Sequence, residues 1–188
     1  MKKVKVEISG TSPLLIHSAQ GMVQQHEKSN PAKKYDPKVD AEMAAYRNKD
    51  KNLYVPSRCV KACFVNGASW YKFGKNNAKP IIAGCTRIEG TNVPVEIELM
   101  DGKGKVVKDY VIDLRPVVVQ RARILRARPR LDEWKLQFNI IYNEDRVDVD
   151  VLRKILVESG ERIGLLDNRP QKYGENGCFE VTKWVKEK

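Results

Sequence analysis

Six arginines and no acid fall within Arg115–Arg130, RPVVVQRARILRARPR. A guanidinium is permanently charged, binds phosphate through two parallel hydrogen bonds and stacks on flat bases. Charge this dense fits contact with a polyanion. The blander reading is an edge strand blunted by charge against edge-to-edge pairing. Lysine or mixed charge would serve that end equally well, so the exclusive use of arginine favours phosphate. The candidate contacts in this run are Arg121, Arg123, Arg126, Arg128 and Arg130.

Other chemistry is thinner. His17, which follows the first strand, is a candidate general base, a role that also needs a partner acid and a positioned group to deprotonate. Nothing near it in sequence supplies these, and a lone histidine after a strand is more often structural. Non-catalytic binding is therefore the expectation. Cys59, Cys63, Cys85 and Cys178 form no CxxC and have no nearby histidine, so they read as reduced, buried thiols rather than a zinc site. Asp145, Asp148 and Asp150 lack the glycine and distal glutamate of a calcium loop. The GxG in Asp101–Lys105 opens no helix and is no nucleotide fingerprint. No metal and no cofactor are expected.

The net charge of +11 over 188 residues asks for an acidic partner, of which nucleic acid is the commonest. An anionic membrane would need a basic amphipathic helix, and none is evident. No apolar run approaches the roughly 18 residues of a membrane span. The opening MKKVKVEISG alternates like a strand and carries no signal-peptide core. A cytoplasmic protein is the expectation.

These side chains need elements to position them. Val4, Val6 and Ile8 alternate with polar residues as a first strand, and Leu14–Ile16 continue after Pro13. Positions 19–52 are polar and read as an inserted arm extending from the body. Lys33, Lys34 and Tyr35 lie on it, with a short helix over Asp40–Arg47. Tyr54–Gly74 reads as a helix started at Pro56 and Ser57, with Trp70 either packed in the core or offered for base stacking. Arg58 and Lys61 oppose the dipole of its first turns and so answer to an external anion. Ile81–Ile88, Val95–Met100 and Val106–Leu114 read as strands, with a hairpin turn at Asp101–Lys105.

The arginine run has a parity problem. Val117, Val119, Arg121 and Arg123 share one face of a regular strand, whereas Arg126, Arg128 and Arg130 fall on the other. Either a bulge near Ile124 or Leu125 re-aims the second group, or the strand ends there. Trp134–Ile140 follows as a core strand. A helix capped by Asp148 and stopped at Gly160 comes next, then the loop Ile163–Gly177 and a strand over Cys178–Trp184. Without insertions at 19–52 and 81–114, the order is strand, helix, strand, strand, helix, strand. That predicts an α+β, ferredoxin-like (RRM-like) βαββαβ core, with strands starting near Lys3, Val117, Trp134 and Cys178.

Three stretches resemble the RAMP superfamily, the repeat-associated proteins that form CRISPR effector backbones: GTSPLLIHS, YVPSRCVKACFVNGA and RIGLLDNRPQKYGENGCFEV. They resemble, in turn, the family's opening strand and turn, its Pro-x-Ser-x-x-Lys helix opening and its glycine-rich loop. The resemblance implies one domain that binds single-stranded RNA (or DNA) without reading sequence. It also implies packing beside copies of itself or other effector proteins, with an inserted thumb. By position it assigns Arg58 and Lys61 to the helix opening and Arg169, Lys172 and Tyr173 to the loop. Because some relatives cut RNA without metal through a general-base histidine, the resemblance implies as alternatives a metal-independent endoribonuclease using His17 or a phage-encoded relative that imitates such a subunit.

Overall fold

The computed structural model describes residues 1–18, 35–119 and 121–187. In chain order, Lys2–Gly10 is β1, Leu14–Leu15 is β2, Pro37–Ala44 is α1 and Tyr54–Pro56 is β3. Ser57–Gly67 forms α2, and Lys72–Phe73 and Asn76–Asn77 pair as the small ribbon β4–β5. Ala78–Cys85 is α3, Thr86–Gly90 is β6 and Glu96–Met100 is β7. Val111–Val119 and Ala122–Leu131 are β8 and β9, Lys135–Tyr142 is β10, Val149–Arg162 is α4 and Phe179–Lys186 is β11.

The larger sheet runs β11-β1-β10, antiparallel throughout. Along the far edge of β10, β6 pairs with Phe138–Tyr142 and β7 with Lys135 and Leu136; β3 lies outside β7. One face is apolar: Val4, Val6 and Ile8 of β1 lie level with Ile140, Phe138 and Leu136 of β10. Onto it pack Val60 and Phe64 of α2 and Leu152, Ile155 and Leu156 of α4. The helices approach at backbone range. A Cβ on Gly67 would overlap Ser159, and one on Gly160 would overlap the Phe179 carbonyl. Gly160 therefore serves close packing, not termination; α4 continues to Arg162, and Gly164, at φ +70°, follows its end. The whole is an α+β arrangement of antiparallel sheets with four α-helices among the described residues.

The arginine run belongs to a second, three-stranded sheet, β2-β9-β8. The core strand expected near Val117 is instead β6, whose Thr86, Ile88 and Gly90 are buried in alternation. Pro116 cannot donate a ladder hydrogen bond, which suits the edge position that β8 occupies. Residues 81–114 thus supply two strands to the larger sheet. Within them, Ile81–Cys85 is helical rather than extended: the Asn77 side chain caps α3 by accepting from the Lys79 amide at 2.8 Å, and Ala78 and Ile82, four apart, are buried. The helix expected over Tyr54–Gly74 ends at Gly67 in a 3₁₀ turn, Ala68–Trp70. Trp70 is 51% exposed, not in the core, with the Arg162 guanidinium 5.3 Å from its ring centre.

The expected arm folds back where it is described. Asp36 caps α1, and Asp40, Ala41 and Ala44 are buried. The Asp40 carboxylate accepts from the Ala127 amide at 2.8 Å and the Tyr35 hydroxyl at 2.9 Å, pinning α1 to β9. Lys33 and Lys34 lie outside the described residues. No helix among those described is long and apolar enough to cross a membrane.

A methyl group at Gly160 would overlap the Phe179 carbonyl and press on its ring. Gly160→Ala should lower stability by about 2 kcal/mol, within the overpacking range, read as a shift of the urea midpoint at unchanged m-value.

Candidate nucleic-acid interface

The β8–β9 register is continuous from Val111↔Arg130 to Val119↔Ala122, so no bulge re-aims the arginines. The turn between the strands contains Arg121 at φ +68°, a conformation that costs a β-carbon-bearing residue. Arg126, Arg128 and Arg130 share a face with Asp113 and Arg115 across the ladder. Arg123 falls on the opposite face, opposite Val118.

The two groups differ in electrostatic state. Asp113, 5% exposed, takes Arg115 at 2.8 Å and Arg130 at 3.6 Å; Arg130 also meets Asp132 at 2.8 Å. Arg128 lies 3.0 Å from Asp167. The expectation of five arginines all offered to a ligand is thus corrected: Arg128 and Arg130 are paired to acids of their own chain, and Arg126 is half-buried near His17 and Tyr35. The side chains of Arg121 and Arg123 are exposed, with no hydrogen bond or ion pair to another described residue. Around them the hairpin shows apolar surface: Val118 is 68% exposed, and Leu114 and Leu125 are also open.

The base of the hairpin meets the C-terminal loop, which is tied down by backbone bonds. Asp167 N–H donates to Leu15 O at 3.1 Å, Gly177 N–H to Pro13 O at 2.8 Å and Leu165 N–H to Gly177 O at 2.9 Å. Arg169 is half-buried; its guanidinium donates to Leu166 O at 2.6 Å and to the Gln171 side chain at 3.2 Å, and it borders a cleft with Cys59 of α2. Lys172 is exposed, and Tyr173, at φ +62°, is fully exposed at the loop tip. Arg58 is exposed at the start of α2 and hydrogen-bonded to Tyr46, whose ring centre is 5.7 Å from that of Tyr54. One run of neighbouring side chains links these elements: Arg58 adjoins Cys59, Cys59 borders a cleft with Arg169, and Asp167 joins the loop to Arg128.

Lys61 does not share it. Its ammonium donates to Thr86 O at 2.5 Å, Thr86 Oγ1 at 2.6 Å and Ile82 O at 3.1 Å. All three donors are engaged at the α3–β6 junction, and burial pushes the group down to about 8. The cation expected to answer an external anion closes a helix end instead.

His17 does find an acid: its Nδ1 lies 3.8 Å from Asp167 Oδ2, too far for a hydrogen bond, and Arg128 is nearer to the same oxygen. Among the described residues, no group of three or more His, Cys, Asp or Glu is placed to hold a metal ion. The four cysteines are unpaired; Cys63 is buried, and the others are partly so. Asp113, Asp40 and Asp167 were not foreseen from the sequence. Only Asp113 gave a local signal, an acid inside an otherwise apolar strand next to the arginine run.

No protein-family model matches the sequence, and no curated protein does. Among solved structures, the chain is similar to a chain in the cryo-EM structure of the Type III-B Cmr-beta bound to cognate target RNA, at 15% identity and a TM-score of 0.58. The likeness covers 100% of this chain and 61% of that one, so this chain spans about three-fifths of its neighbour's length. At this identity the two share a fold.

Burial holds the His17 imidazole below its ordinary value; Asp167 opposes this, Arg128 and Arg126 add to it, and Asp40 opposes it. The unfolded chain then binds the proton more readily, so stability is fully present above about pH 6.5 and falls as the pH drops below that. His17→Gln should flatten the stability slope below about pH 6.5, measured by urea unfolding at stepped pH.

Proposed function

We propose that this protein is a non-catalytic subunit of RAMP type that holds single-stranded nucleic acid, RNA foremost, without reading its sequence, and stands beside copies of itself along the strand. The observation that carries the reading is the distal half of the β8–β9 hairpin, where Arg121 and Arg123 are exposed, with no hydrogen bond or ion pair to another described residue, among exposed apolar residues. Cations with adjacent apolar or flat surface are what a single strand needs from a protein that ignores base identity. Arg58, Lys172 and Tyr173 extend the same chemistry over the adjoining surface.

Two further facts support the reading. The order β11-β1-β10-β6, with helices following β1 and β10, is the order of a ferredoxin-like core. On that view the hairpin and residues 19–52 are additions to a single domain, and the hairpin is its thumb. The fold is also shared with a chain of a complex bound to RNA. Catalysis by His17 has less support, because Arg128 occupies the acid that would orient the ring.

Fluorescence anisotropy with a labelled single-stranded RNA, followed across salt, tests the proposal. Arg121→Gly, which keeps the turn geometry, combined with Arg123→Ala should weaken binding and make the salt slope shallower by about 1.4, roughly 0.7 for each phosphate left without its cation. A wild-type protein indifferent to single-stranded RNA at low salt would overturn the reading. Size exclusion should show RNA-dependent growth of the assembly; a monomer that ignores RNA yet co-purifies with effector proteins would mark an imitator instead.

The pure protein should leave RNA intact. If it cleaves and His17→Ala abolishes cleavage, the nuclease reading replaces this one.

A further inference from the structure

From Lys51 to Ile88 the chain carries seven basic residues and no acid, a longer acid-free stretch than the arginine run. Four of the seven lie apart from one another. Lys51 sits in the turn before β3, Arg58 at the start of α2, and Lys61 closes a helix end; Arg87 pairs with Glu89 at 2.7 Å. The other three, Lys72, Lys75 and Lys79, fall together on and beside the β4–β5 ribbon.

The ribbon is a tight hairpin. Lys72 pairs with Asn77 and Phe73 with Asn76, and Gly74 at φ +60° supplies the turn. It is fixed from beneath: Tyr71 and Phe73 pack on the core, and Ala78 N–H donates to Tyr71 O at 3.0 Å. The side chains of Lys72, Lys75 and Lys79 are exposed, with no hydrogen bond or ion pair to another described residue. Beside them stands Trp70, half exposed, with the Arg162 guanidinium over its ring. Glu158, one turn back on α4, holds Arg162 at 3.0 Å. The indole is thus kept in one pose by a cation–π contact rather than by burial.

Uncompensated cations around an exposed flat ring are what a single strand takes from a protein: phosphates meet the cations and a base stacks on the ring. A membrane surface asks for several apolar side chains free to enter the interface. Here only Trp70 is open, because Tyr71 and Phe73 are spent on the core.

We infer that the ribbon is a second contact for single-stranded nucleic acid, with a base stacked against Trp70 and neighbouring phosphates on Lys72, Lys75 and Lys79. The inference rests on the strand-holding reading for its class of ligand, but on none of that reading's residues. Among the described residues the ribbon shares no strand pairing and no backbone hydrogen bond with the β8–β9 hairpin. One chain then grips two stretches of strand, one at the hairpin tip and one on the helix side of the larger sheet.

Titration of the full chain with single-stranded oligouridylate tests this, read by tryptophan emission and, with a labelled strand, by anisotropy across salt. The RNA should quench emission saturably. Trp70→Phe should remove the quench, because Trp134 is buried and Trp184 partly so. Trp70→Ala should weaken binding about fivefold or more, the low end for one stacked base. Lys72→Gln, Lys75→Gln and Lys79→Gln together should make the salt slope shallower by about 2, roughly 0.7 for each phosphate, and this loss should add to that of the hairpin variant. RNA bound with unchanged salt slope by the lysine variant, or a quench that survives Trp70→Phe, overturns the inference and leaves the strand-holding reading standing. A wild-type protein that ignores RNA at low salt overturns both. Quenching by phosphatidylserine vesicles but not by RNA overturns it in favour of a membrane surface.

Discussion

Arg115 and Arg126 stand directly opposite each other on neighbouring strands, with Arg128 and Arg130 next along the same face. Like charges so placed repel, and a ladder carrying them alone would be weakened. What makes the hairpin tenable is the pair of carboxylates set into that face and beside it. Asp113, nearly buried, lies between Arg115 and Arg130, and Asp167 reaches Arg128 from the C-terminal loop. Removing one partner of such a pair leaves a charge without compensation in a poorly solvated place, which costs far more than the pair contributes. The smaller sheet and the C-terminal loop anchored to Leu15 meet at that neutralisation.

It also divides one run of sequence into two kinds of residue. The proximal Arg115, Arg128 and Arg130 are structural cations, ion-paired within the chain. The distal pair, at the turn, is left to solvent. Neighbouring positions in the sequence therefore differ in role because a strand alternates faces and because the acids reach only part of the hairpin.

Much of the architecture was legible in the sequence because it rests on local periodicity. The alternation of Val4, Val6 and Ile8 gave β1, that of Leu136, Phe138 and Ile140 gave β10, and Asp148 marked the start of α4. Elsewhere local pattern misled. Ile81–Cys85 is apolar and short, a run in which helix and buried strand look alike, and only the Asn77 cap decides between them. Gly160 resembles a stop signal but marks a close approach to Phe179, a tertiary fact with no local trace. The parity conflict of the arginines was visible, yet its resolution required a turn at Arg121, where no glycine announces one. At the interface, basic residues were easy to find and their partners were not: Asp167 is 39 positions from Arg128, and Lys61 meets Thr86 only because α3 folds across it. Residue type reports the presence of a charge; only the fold reports whether it is already neutralised.

The close approaches of Gly67 to Ser159 and of Gly160 to Phe179 leave the two core helices no space to slide or swell against each other or the sheet. A body seated that tightly tolerates little change beneath its surface. The exposed side chains of Val118, Arg121 and Arg123 near the hairpin tip, by contrast, lie outside the packed core. New ligand preferences can therefore arise there by simple substitution, while the frame that carries the tip stays as it is.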